Sequence, residues 1–323
     1  MAADSADSSI DLGIGGEIVL TNLIFIIFLP LIFVGLITKT KAVWAGRKGP
    51  SILQPYYNFF KLLRKSEIHS ISSGIVFRIA PVLAMVSVFC AAMLVPFGSK
   101  ESLVSFKGDF FLFMSLLALS KAATVIAAME TGSSFEGMGA SREISFTAFL
   151  EPAFLLIIGS LAYSVGFDSM GSLFYMHSVN IFNEWSVIIA ILTAMGLFIM
   201  MLVEGARVPF DDPATHLELT MIHEVMVLDT SGINLAFVHY SAALKMVIYS
   251  ALISNFLIPG NAISIGIPFI FIGGNLALAI LTGLVESIIP RYRISRNLEL
   301  VIIPLSVALL VLTALIVNNL GGF

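Results

Sequence analysis

The sequence predicts an all-α integral membrane fold, an eight-transmembrane-helix bundle with amphipathic cytoplasmic loop helices, and three observations carry that prediction. Of 323 residues, 58% are hydrophobic and 12% charged, against about 25% charged in an ordinary soluble domain. The apolar residues gather in long unbroken runs, and the basic residues fall almost entirely on one side of them. At a mean hydropathy of +0.99 the apolar surface exceeds what one interior can hide, so lipid must act as solvent for much of it. Closed β-barrels also satisfy backbone groups in a bilayer, but they need short alternating strands, and these runs do not alternate.

A helix needs about 20 mostly apolar residues to cross the hydrocarbon layer. Eight windows qualify, at roughly 17–38, 75–95, 108–129, 146–167, 184–203, 235–258, 264–289 and 298–317, making one polytopic domain over residues 1–323. The start, MAADSADSSIDLG, is acidic and lacks the basic region of a signal peptide, so the first apolar run is expected to remain as a span. Of the 17 Lys and Arg, all but Lys100, Lys107, Lys121 and Lys245 lie in or beside the connections after the first, third, fifth and seventh spans. The positive-inside rule puts those connections in the cytoplasm and both termini outside it, in a multi-pass protein of the cell's inner (cytoplasmic) membrane. The single cysteine, Cys90, excludes a disulfide framework or a Cys-based zinc or iron–sulfur site within the chain. The basic residues are dispersed through short loops, which argues against nucleic acid as a partner.

Two of the basic connections are too long to be turns. In the first, Gln54-Pro55 opens a helix, since proline suits the first helical turn. Tyr56, Phe59, Phe60 and Leu63 recur at i, i+3, i+4 and i+7 with Asn58, Lys61 and Lys65 facing away, the pattern of an amphipathic helix in the membrane interface. It serves as an anchor against anionic headgroups, as a docking surface for a partner subunit, or as both. In the other, Asp212-Pro213 pairs an N-cap residue with a proline and predicts a helix from there. Leu217, Met221, Val225 and Leu228 form one face, His216, Thr220 and His223 another, and Gly232 is the terminator.

No catalytic, cofactor-binding or metal centre is evident. His223-Glu224 begins a zinc-protease-like string, but position 227, where a second histidine is required, is Val227. His216 and His223 lie two turns apart, about 10 Å along a helix, too far to share one metal without outside ligands. The informative polar residues belong to the spans. Lys121 and Lys245 fall near mid-membrane, and Glu130, Glu151, Glu204 and Glu286 lie in the cytoplasmic quarter. A charge at the bilayer centre costs at least about 2.5–3.5 kcal/mol, so each needs a partner, water or a task. Interhelix ion pairs or snorkelling side chains satisfy that need; so does a proton relay of carboxylates at the mouth and amines at the centre. Lys121 and Glu130, nine residues apart, face opposite sides of their helix.

Several segments resemble one family. Gly49-Pro50-Ser51-Ile52-Leu53-Gln54-Pro55, followed by Lys61-Leu62-Leu63, is similar to the signature after the first helix of the H subunit of proton-pumping NADH-quinone oxidoreductase (complex I). It resembles still more the related subunits of group 4 [NiFe] hydrogenases and formate hydrogenlyase, of the hydrogenase-4 component C and formate hydrogenlyase subunit 4 type. Gly139-Ala140-Ser141-Arg142-Glu143 with Glu151-Pro152 looks like the hydrogenase branch, as does the string from Glu204 through Val208-Pro209-Phe210-Asp211-Asp212-Pro213 to Met221-Ile222-His223-Glu224. The resemblance implies a non-catalytic membrane subunit that seats a peripheral arm and joins it to antiporter-like membrane subunits. The arm's [NiFe] large subunit and iron–sulfur small subunit would hold the nickel-iron centre and the iron–sulfur clusters. It further implies an acidic passage, to which Glu130, Glu151 and Glu204 correspond by position. Glu286, Lys121 and Lys245 are added as ion-path candidates. The docking loop would comprise Arg142, Glu143, Arg207, Asp211, Asp212, His216, Glu218 and His223. Respiratory members carry an acidic string after Pro-Phe-Asp, where this chain has Asp212-Pro213-Ala214-Thr215-His216. The alternatives are an H-type subunit that forms a quinone site and a purely structural anchor.

Overall fold

The computed structural model describes residues 12–68, 73–99, 101–165, 169–176, 184–212, 220–256, 258 and 266–321. Among the described residues the regular structure is all helical. Eight helices are long and apolar enough to cross a membrane, so the chain is a multi-pass membrane protein. They are α1 (Leu12–Trp44), α3 (Ile75–Met93), α4 (Asp109–Glu130), α5 (Ser134–Val165), α7 (Glu184–Glu204), α8 (Gly232–Phe256), α9 (Ile267–Ile288) and α10 (Ile294–Gly321). Two short helices, α2 (Gln54–Leu63) and α6 (Met170–Met176), lie between them.

Polarity decides which helix stands at the centre. α8 carries Lys245, Ser241, Ser250, Ser254 and Asn255, all buried, and is the least apolar of the eight. Of its most apolar stretch 83% is buried, against 33–56% in the other seven. In lipid, polar side chains go inward and the purely apolar faces go outward, the reverse of a soluble bundle. α8 accordingly packs on α1, α2, α3, α7 and α9, while α10 closes against α5 and α7.

At one end of the bundle, Asn22 of α1 donates to Ser99 Oγ at 2.8 Å and accepts from the Phe97 amide at 2.6 Å, which fastens the α3–α4 connection. Asp109 accepts the Met170 amide at 2.9 Å and holds the start of α6. The basic connections gather at the other end. There α2 lies on α1 and α8, with Tyr56 donating to the Phe28 carbonyl and the Phe59 ring 5.5 Å from that of Tyr240 at a tilt of 42°. Only part of the expected apolar face turns inward: Tyr56, Phe59 and Leu63 do, while Phe60 is 56% exposed beside Tyr57.

Two expectations at the basic end are corrected. The fourth span begins at Ser134 instead of near residue 146, so Arg142 and Glu143 lie on the wall of α5 and not in a loop. Their charges meet partners inside the bundle and do not break the helix. The helix expected from Asp212 to Gly232 is also not formed over its described part, 220–232. Residues 213–219 lie outside the described residues, and the described remainder carries only one 3₁₀ turn, Glu224–Val227. The amides of Ile222 and His223 bond to the Asp211 carboxylate at 3.0 and 3.2 Å instead of to a helical ladder. Gly232, at φ +57°, opens α8 instead of ending a helix, where a side chain would meet the Ser66 carbonyl at 3.0 Å.

The 205–231 segment is held from three sides. Arg291 pairs with Asp211 at 2.8 Å and also donates to the Thr220 carbonyl. Asn297 donates to the Phe210 carbonyl at 2.8 Å, and Arg142 to the Met221 carbonyl at 2.9 Å. Gly139 of α5 allows close approach, since a Cβ there would sit 3.0 Å from the Ile222 carbonyl. Replacing Asp211 with Ala strands the Arg291 charge and the Asp212, Ile222 and His223 amides, a loss of about 3–5 kcal/mol. Hydrogen exchange read by mass spectrometry should accelerate across 220–227 while central α8 stays protected; equal protection in the variant would contradict this role for Asp211.

Candidate functional site

Beneath that segment, inside the bundle, acids and bases alternate along a buried row. Lys121 stands nine residues before the end of α4, about 13 Å inward by helical rise. Its Nζ donates to Glu204 Oε1, at the end of α7, and lies 3.6 Å from Glu143 Oε1 on α5. The other oxygen of Glu143 is 3.4 Å from His223 Nδ1. Lys121, Glu143 and Glu204 are each no more than 7% exposed. Lys245, 5% exposed on α8, faces the same group within electrostatic reach of Glu204, Glu143 and Glu151. No carboxylate stands within 4 Å of its amine among the described residues. Each neighbour in the row stabilises a charge that hydrocarbon alone would expel.

Glu151 continues the row along α5, within the field of Lys121 and Glu204, but its side chain is exposed on the outer wall of the bundle. Ile144 and Leu155, on the same face of α5, are exposed apolar side chains.

Other sequence-selected residues form a second group nearer the basic end. Glu286 lies 3.3 Å from Lys41 and 3.5 Å from Arg207, and Lys41 is 3.9 Å from Asp212. Glu130 stands apart from both groups and accepts the Phe77 amide in the first turn of α3. Of the expected path residues, Lys121, Lys245, Glu204 and Glu151 are thus brought together, whereas Glu286 and Glu130 are not. Of the expected docking residues, Glu143 and His223 belong to the buried row, Arg142, Arg207, Asp211 and Asp212 fasten the loop, and His216 and Glu218 lie outside the described residues. Sequence reasoning missed Glu136, fully buried in the first turn of α5 and accepting the Asp229 amide at 2.9 Å. The serines just before it, a helix-start pattern, are the signal that would have found it. No set of three His, Cys, Asp or Glu arranged to hold a metal ion occurs among the described residues.

A cavity of about 830 Å³ opens beside the row, between α1, α2, α8 and the 205–212 segment. Its walls are apolar at Leu31, Val34, Phe59, Leu62 and Leu235, and charged at Lys41, Arg207, Asp212 and Glu286. His223 belongs both to this wall and to the buried row, and its side chain is 20% exposed. Burial works against its imidazolium, yet the facing Glu143 carboxylate outweighs that, and the pKa stands above the ordinary histidine value. On the α2 side, burial raises the Tyr56 phenol, which stays protonated and donating.

Residues 17–314 match the family model described as NADH dehydrogenase. The chain is 28% identical over 241 residues to hydrogenase-4 component C of Escherichia coli K12, covering 74% of each. It is 24% identical to formate hydrogenlyase subunit 4 of the same organism over 79% of this chain and 80% of that one. To the H subunit of NADH-quinone oxidoreductase from Caulobacter vibrioides it is 25% identical, over 90% of this chain and 92% of that one. Among solved structures, it shares the fold of a chain in the membrane-bound sulfane sulfur reductase, an archaeal respiratory membrane complex. The TM-score is 0.76 at 22% identity, over 93% of this chain and 99% of that one.

Replacing Lys121 with Met removes the cation between Glu143 and Glu204, leaving only His223 beside Glu143 and the more distant Lys245, and should destabilise the chain by about 3–5 kcal/mol. Thermal unfolding in detergent should show Lys121→Met with Glu204→Gln to be less destabilised than Lys121→Met alone; a purely additive double variant would count against the pairing. The His223–Glu143 contact has a pH signature. Because the folded pKa is raised, its contribution is complete below the unfolded value of about 6.5 and is lost as pH rises through the folded value. Stability measured against pH should therefore fall over that window in the wild type and lose this component in Glu143→Gln.

Proposed function

The chain belongs to the NADH dehydrogenase family, and we propose that it is a non-catalytic membrane subunit of a multisubunit, hydrogenase or formate hydrogenlyase-type oxidoreductase. In this reading it seats a peripheral arm and couples electron transfer there to movement of protons or sodium ions. The observation that carries it is the buried row His223–Glu143–Lys121–Glu204 under a tightly held loop segment at the basic end. Ionisable groups spaced within 4 Å can pass a proton once a small side-chain movement or one bridging water brings donor and acceptor into hydrogen-bond reach, and a charge change nearby shifts their protonation.

The positive-inside rule orients the basic end to the cytoplasm and both termini away from it, in the inner membrane. The arm's partners would be an [NiFe] large subunit and an iron–sulfur small subunit, which would hold the metal centres. The exposed Glu151 calls for cover by a further membrane subunit, because a carboxylate against lipid tails is costly. An antiporter-like subunit on the α5 wall supplies that cover and extends the row laterally.

A second reading, a quinone-site-forming subunit, is favoured by the cavity of about 830 Å³, whose apolar walls and charged patch of Lys41, Arg207, Asp212 and Glu286 suit an amphipathic ring compound. Bound quinone in the purified complex and sensitivity to quinone-site inhibitors would establish it.

The test of the coupling reading uses the whole complex in sealed vesicles. In Glu204→Gln and Glu151→Gln, coupled ion movement should drop at least tenfold more than hydrogen evolution from an artificial donor. Intact coupling in both variants would overturn it. Loss of co-purifying subunits ahead of any coupling defect would make the chain a structural anchor.

A further inference from the structure

We propose that His223 is the point at which protons enter or leave the buried row from the adjoining cavity. The inference rests on the coupling reading and adds to it a residue, a direction and a source of protons. Two independent facts single out His223. It lines the cavity, and it is the member of the row whose side chain reaches Glu143 from a loop and not from a spanning helix, just before the 3₁₀ turn. Lys121, Glu143 and Glu204 do not line that cavity.

Its ring geometry divides the two tasks. Nδ1 is closed to solvent and stands 3.4 Å from Glu143 Oε2, which leaves Nε2 for the cavity side. A proton from cavity water binds Nε2; the Nδ1 proton passes to Glu143, whose carboxylate becomes a neutral acid, and the imidazole returns uncharged. Loss of charge on Glu143 weakens its hold on Lys121, 3.6 Å away, and shifts that amine towards Glu204. One proton has then moved inward, and the reverse order releases one.

The charged groups facing His223 set its balance. Glu143 on α5 and Glu204 on α7 favour the imidazolium, and Lys245 on α8 opposes it. The cavity wall also carries Asp212, Glu224 and Glu286, the cations Lys41, Lys61, Lys65 and Arg207, and His239 on α8; of these, Lys41 pairs with Asp212 and Glu286, and Arg207 with Glu286. The backbone is fixed independently of the ring, since the His223 amide is held by Asp211 at 3.2 Å. The imidazole can therefore change charge without dismantling the loop.

Chemical rescue separates this role from a structural one. Take the whole complex in sealed vesicles, with coupled proton movement per electron measured across pH in wild type, His223→Ala and His223→Asn. The wild type should lose movement as pH rises and imidazolium is depleted. Both variants should be at least tenfold lower and flat with pH, and free imidazole, which the cavity accommodates, should restore His223→Ala. Loss of movement that imidazole fails to restore, in complexes that assemble normally, would overturn the proposal. So would wild-type movement in His223→Asn. If His223→Ala does not assemble, the pH profile of His223→Asn decides alone. Should Glu204→Gln abolish coupling while the His223 variants retain it, the relay stands and its entry lies elsewhere. Should neither position matter, both readings fall.

Discussion

A charged side chain inside a bilayer persists only where protein groups replace the water it has lost, and Lys121 imposes that requirement on the helices around it. Its backbone position lies about 13 Å from the nearer end of α4, and its amine is met by carboxylates from two other helices, α5 and α7. Amine and carboxylates each lower the cost of burying the other, with His223 and Lys245 adding positive charge nearby. The three helices are therefore fixed in register by charge as well as by packing. Breaking such a buried set costs several kcal/mol, a large fraction of what holds a domain together.

The rest of the architecture follows from the same need. α8 carries the second buried amine, Lys245, and is drawn to the centre, where polar groups await it and lipid does not. The described parts of this connection, 205–212 and 220–231, cover the row from the basic side without a regular α-helix to satisfy their backbone. Asp211 supplies the missing acceptors, and Arg291, Asn297 and Arg142 hold the segment in position. Ionic contacts at this end fall into two sets, an outer one around Glu286 and an inner one around Lys121. Among the expected and described ion-path and docking residues, His223 alone joins the inner set and the cavity wall.

Hydropathy and charge placement made the eight helices legible in the sequence, because crossing a bilayer requires a length and an apolar content that few other structures share. The buried amines were legible for the same reason: a lysine inside an apolar run needs a partner, water or a task. What was not legible was partnership. Glu143 sits in a polar stretch, SREIS, that reads as loop, and only the tertiary fold carries α5 back to Ser134 and buries it against Lys121. Glu130 and Glu286 looked equivalent to Glu204 by depth, yet the rotation of each helix turns one to the backbone of α3 and the other to Lys41 and Arg207. Depth can be counted along a sequence; helix rotation is set by packing against neighbours.

The central claim is that Glu143 and Glu204 exchange protons as the oxidoreductase turns over, and infrared difference spectroscopy addresses it most directly. Spectra of the intact complex, recorded between oxidised and reduced states, should contain a carboxyl band that weakens in Glu143→Gln and in Glu204→Gln. A spectrum that retains every carboxyl band in both variants would contradict the account, because the buried acids would then keep one protonation state throughout.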